Sequence, residues 1–142
     1  MFVAMLAMTT YTQDYVDDRR RSLDAQLAAY DDLAAASTGK AAEALAAFAP
    51  HFFNDLVLVL DASFVHRLRG REGKDGNPLN EVRVLSSSLL AGGGVLTAEK
   101  SIRLKPETSV LGLVDGADIV LTREDFGRLA DAFFAEIEAK FV

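Results

Sequence analysis

The stretch PHFFNDLVLVLDASFVHRL, Pro50 to Leu68, decides the fold. Its VLVL centre reads as a strand on propensity alone. Its flanks read differently, because Phe52, Phe53, Leu56, Val57, Leu60, Phe64 and Leu68 recur at the spacing of one helix face. Leu58, Val59 and Val65 carry the apolar surface almost round the cylinder, which predicts a central helix enclosed by neighbours. Pro50 belongs at its start, since an interior proline loses a backbone hydrogen bond and clashes with the preceding turn. Upstream, KAAEALAAFA is then a separate helix of a few turns.

The segments on either side carry clear start and stop signals. Thr12 to Ala36 contains neither Gly nor Pro, and Tyr15, Leu23, Leu27, Tyr30 and Leu33 share one face. This predicts a long first helix ending at Ser37-Thr38-Gly39. Downstream, GREGKDGN, residues 70–77, reads as a linker with nothing to bury. Asn77 then caps a new helix, Pro78 suits its first position, and Glu81 complements its positive end. Val82, Leu85 and Leu89 line its face, and Gly92, Gly93 and Gly94 end it. Residues 95–121 contain short branched runs and an Asp115-Gly116 turn signal, which predict a small β appendage. Thr122 and Asp125 open a final helix in capping-box fashion, followed by Phe126, Leu129, Ala130, Phe133, Ile137 and Phe141. The expected fold class is mainly α, a four- or five-helix bundle with a small β-hairpin appendage before the C-terminal helix.

A chain of 142 residues, half of them apolar, has the size and composition of one globular domain. The formal net charge of −6 argues against a general nucleic-acid coat, and no aromatic residue is interleaved with the arginines to stack bases. Absence of cysteine removes disulfides, thiol nucleophiles and cysteine-ligated metals. MFVAMLAM is apolar but short and has no basic flank, so neither a secretory signal nor a membrane span is expected there. Residues 1–10 are expected to be loosely held, and the location cytoplasmic.

The charge distribution names one place to look. Arg67, Arg69, Arg71, Lys74 and Arg83 are the main concentration of bases, interleaved with Glu72, Asp75 and Glu81. If the chain folds back across the linker, His66, Arg67, Arg71, Asn80, Glu81 and Arg83 converge as an anion-binding candidate. Beside this stands the plainer reading, a solvated charged loop with His66 capping the last carbonyls of its helix. Asp61 follows VLVL within an apolar helix; if buried it needs a partner, for which Arg83 and Arg103 are the candidates. His51 and Asp55 share a helix face. His51 and His66, however, are 15 residues apart, about 22 Å along one straight helix, so no shared metal and no cofactor is expected.

No motif assigns a reaction. GREGKDG lacks a Walker ending, GGG at 92–94 follows a helix instead of opening one, and Ser86-Ser87-Ser88 has no nucleophile elbow. The leading expectation is a helical bundle that works by self-association or protein–protein contact, because its apolar faces exceed what a minimal bundle buries. Binding or turnover of a small anionic metabolite at the His/Arg/Glu cluster is the alternative.

Overall fold

The computed structural model describes residues 7–142. Among them are five helices: α1 Gln13–Ala36, α2 Gly39–Ser63, α3 Arg69–Glu72, α4 Pro78–Leu90 and α5 Arg123–Phe141. The expectation that residues 1–10 are loosely held lies partly outside the described residues. Met8 and Tyr11 are tied down: Met8 exchanges backbone hydrogen bonds with His66 and Leu68, and the Tyr11 N–H donates to the Phe141 carbonyl.

The helix starts follow their side chains. Thr12 caps α1 by accepting from the Tyr15 N–H, and Asn77 caps α4 by accepting from the Leu79 and Asn80 N–H groups. At α5, Thr122 accepts from the Asp125 N–H while the Asp125 carboxylate accepts from the Thr122 N–H, a complete capping box. Thr122→Ala should lower stability by about 1 kcal/mol, read as an earlier denaturant midpoint with an unchanged slope.

Five sequence expectations are corrected. Pro50 lies inside α2, so KAAEALAAFA and the VLVL run form one helix of 25 residues. The missing proline donor is tolerated because Phe53, Leu56, Val57 and Leu60 bury the next two turns against α4 and α5. This helix ends at Ser63, with Phe64 as its cap, so His66 and Leu68 belong to the chain beyond it.

The enclosed helix is also not the most apolar one. Eight of the thirteen residues of α4 are buried, against four of the 25 in α2. Asn80, Glu81, Ser86 and Ser88 are among the buried α4 residues, and the hydrogen bonds of Asn80, Glu81 and Ser88 let a less apolar helix take the centre. The Ser88 hydroxyl, for instance, donates to the Val84 carbonyl and accepts from the Thr97 N–H. α2 instead keeps an open flank.

No strand forms among the described residues, so the β-hairpin appendage is absent. Residues 95–121 make an irregular strap with one antiparallel bridge, Val95 to Asp118, and a turn at Asp115-Gly116. Leu96, Ile102, Ile119 and Leu121 are buried from this strap. A ladder does not propagate because other groups take the backbone. The Glu81 carboxylate accepts from the Val110 and Leu111 N–H groups at 2.7 and 2.9 Å, and Arg128 donates to the Val110 carbonyl. The one-turn α3 and its flanks likewise replace the expected linker, and Glu72 there is fully buried.

The core is continuous across α1, α2, α4, α5 and the strap. Its aromatic centre includes Phe53 against Phe126, and Phe64 in edge contact with Tyr11 and Phe134.

Candidate functional site

Glu72 organises the charged region. α3 is only four residues long, and it turns the Glu72 side chain inward beneath α4. Arg83 grips the carboxylate with two parallel hydrogen bonds: Nε to Oε2 and Nη2 to Oε1, both 2.9 Å. The Arg67 Nε donates to Oε1, and the Asn80 amide donates to Oε2 at 3.1 Å. Arg67 is itself fixed on every side. Its remaining nitrogens donate to the Phe64 and Leu79 carbonyls, and its Cζ lies 5.5 Å from the centre of the Phe133 ring.

Asp61 completes the group. It is mostly buried and approaches Arg67 Nη2 at 3.0 Å, as an ion pair without hydrogen-bond alignment. Its partner is therefore Arg67, where the sequence suggested Arg83 or Arg103. Arg69, which is exposed, adds a longer ion pair to Glu72 at 3.8 Å, so three arginines face two carboxylates.

The protonation chemistry follows from this geometry. Burial opposes ionisation of Glu72, but the hydrogen bonds from Arg83 and Arg67 and their charges outweigh it. The carboxyl is held below its ordinary value of 4.5. Burial pulls the Arg83 guanidinium down, and Glu72 more than restores it, so its pKa is raised. Glu81 goes the other way. Burial pushes its pKa up, against the two backbone N–H groups that favour the charged form.

The sequence-selected residues are only partly brought together. Arg67, Asn80 and Arg83 converge, with Glu72 at the point of convergence. Glu81 turns to the strap and anchors Val110 and Leu111. Arg71 is exposed and reaches the Lys140 carbonyl at 3.3 Å, near the C-terminal end of α5. His66 is exposed and lines a separate open groove of about 740 Å³ with Tyr11, Tyr15, Ser63 and Val65.

Glu72 was the residue missed. Its only sequence signal was an acid in RGRE, within the main run of bases, where an unpaired surplus of arginine invites one. The guanidinium groups of Arg67 and Arg83 are thus occupied by carboxylates of this chain. What the cluster does chemically is hold residues 64–83 in one conformation. Among the described residues, no group of three or more His, Asp or Glu side chains is arranged to hold a metal ion.

A second feature lies at the far end of the α1–α2 pair. Leu33 is 54% exposed and Phe48 51%. With Gln26, Ala29, Tyr30 and Phe52 they frame a shallow, mostly apolar hollow of about 290 Å³. Tyr30 stacks on Phe52 at 5.8 Å, and Phe48 stacks on Phe52 at 5.9 Å, so the three rings form a preset rigid surface. Comparison of the chain with protein-family models, with curated proteins and with solved structures finds no match.

Proposed function

We propose that this protein works by association, presenting the outer face of the α1–α2 pair to another protein surface. The observation that carries the reading is the open apolar hollow around Leu33 and Phe48, on a helix pair that buries Val16, Leu23 and Leu27 of α1 and Phe53, Leu56, Val57 and Leu60 of α2 in the core. Rigid aromatic side chains around a concave apolar patch supply contact area at little entropic cost. The cluster at Glu72 supports the scaffold, and carboxylates of the chain engage Arg67 and Arg83, so neither guanidinium is free for an anionic metabolite.

A photoreactive phenylalanine analogue at position 48 tests this inside a producing cell. Irradiation should give protein adducts, either with a second copy or with another chain, and Leu33→Glu should abolish them. A yield no higher than that of the same analogue at exposed Ala135, on α5, would defeat the reading.

A further inference from the structure

We infer that the occupant of this face is a second copy of the chain, with α2 packed antiparallel against α2 about a two-fold axis near Ala47–Phe48. The inference rests on the association reading and adds the partner and the register.

The outward side of α2 carries Lys40, Ala44, Phe48, His51, Asp55 and Val59, all exposed and spaced at three or four residues along one line. Glu43 flanks that line and is exposed as well. The line extends about 29 Å along the helix. Its charges are arranged with a symmetry that one helix does not need. In an antiparallel pair, residues with a common midpoint face each other. Lys40 and Asp55 have their midpoint at 47–48, and Glu43 and His51 have theirs at 47. One register therefore sets Lys40 beside Asp55 of the second copy and Glu43 beside its His51, twice over. It also brings the two Phe48 rings together at the axis. A parallel pairing would instead set like charge on like charge.

Two further observations agree. None of Lys40, Glu43, His51 and Asp55 makes an ion pair among the described residues. The N-terminus of α2 is also poorly served by its own chain: its first turn has no acid and Thr38 makes no side-chain cap. The positive end of the helix dipole, with Lys40 upon it, lacks negative charge, which Asp55 of the second copy supplies. Such a face is isologous, as a closed two-fold dimer requires. Being only one helix pair wide, it belongs at the small end of specific interfaces, with a dissociation constant of roughly micromolar order.

A lipid surface is the rival occupant. α2 is long and apolar enough to cross a membrane by length and composition, and only 22% of that window is buried. The four charged or ionisable side chains on its outward side oppose lipid contact.

Sedimentation equilibrium across the micromolar range decides between these, using the wild-type chain, Lys40→Asp, Asp55→Lys and the double variant. All substitutions are on the exposed face, and far-UV circular dichroism checks that each variant folds. The wild type should approach twice the chain mass. Each single reversal should weaken the dimer roughly tenfold, since two symmetric pairs become repulsive, and the double reversal should recover to within about threefold. Losses that simply add in the double variant would overturn the register. A wild-type monomer at every concentration, while the position-48 probe still captures another protein, would overturn self-association and leave the association reading standing. A monomer that co-sediments with phosphatidylserine–phosphatidylcholine vesicles, with adducts confined to lipid, would overturn both.

Discussion

Replacing Glu72 by alanine should destabilise the fold by about 3–5 kcal/mol, the range for removing one partner of a buried ion pair. The substitution deletes the acceptor for the Arg83 fork, for Arg67 Nε and for the Asn80 amide. Arg67 is fully buried at its side chain, so its charge would be left with Asp61 and two carbonyls alone. A drop of roughly 10 °C in Tm is expected for a chain of this length. A change under about 1 kcal/mol would show that the cluster is solvated and that Glu72 does not organise it. Replacing Arg67, Glu72 and Arg83 together with apolar residues of similar volume should be far milder than Glu72→Ala, because no stranded charge remains.

The same residue sets an acid limit. Its folded pKa lies below the unfolded value of 4.5, so at neutral pH the native state is favoured by the ionised carboxylate. That contribution is fully present above 4.5 and is lost as pH falls through the lower folded value. Glu81 has the opposite sign: its folded pKa is raised, so the folded state holds its proton longer than the unfolded state does. Its contribution therefore declines as pH rises from 4.5 through the raised folded value. Acid unfolding followed with and without Glu72→Gln should show a smaller low-pH loss in the variant, from a lower starting stability, with the remainder coming from Asp18, Asp75 and Asp125, whose carboxyls are also held below their ordinary values.

Gly76→Ala is the second large effect, and it acts through backbone. Gly76 has φ +87°, a region where a side chain is strained, and an added Cβ would stand 2.3 Å from the Arg103 carbonyl oxygen. That oxygen is backbone and cannot rotate away. The Arg103 N–H donates to the Lys74 carbonyl at 2.9 Å, and the Gly76 N–H donates to the Asn80 amide oxygen at 3.0 Å. Relief of the clash must therefore separate the strap from the loop before α4 and disturb the Asn80 contact with Glu72. A loss of about 3 kcal/mol or more is expected, combining left-handed strain with the forced shift. Gly116→Ala is the control. It has the same φ of +87° but nothing within 4 Å, so it should show the strain alone, about 1 kcal/mol. Equal losses in the two variants would remove the steric part of the argument.

The contrast between these residues explains what was legible in the sequence. Helix starts were readable because a cap is a local device: Thr12, Asn77 and Thr122 bond to N–H groups within three residues of themselves. Asp115-Gly116 was readable as a turn for the same reason. A hairpin needs more than its turn. Whether 95–121 became strands depended on Glu81 and Arg128, which are distant in sequence and claim the backbone of Val110 and Leu111. The candidate site shows the same divide. Arg67, Asn80 and Arg83 could be grouped from charge density, while Glu72 looked like one more loop acid until α3 turned it inward.

By itself, then, the sequence determined the helical class, most helix ends and the location of the charged cluster. Each depends on periodicity, capping or composition within a few residues. Only the tertiary structure decided that α2 runs unbroken through Pro50, that α4 and not α2 is enclosed, and that the arginines face inward onto Glu72. Those outcomes rest on which groups meet across the chain. Burial of Phe53 and Leu56 outweighs one lost backbone bond, and hydrogen bonding lets Asn80 and Glu81 occupy the core. The exposed side of α2 is the result of that choice, because enclosing α4 leaves the most apolar helix with a face still open.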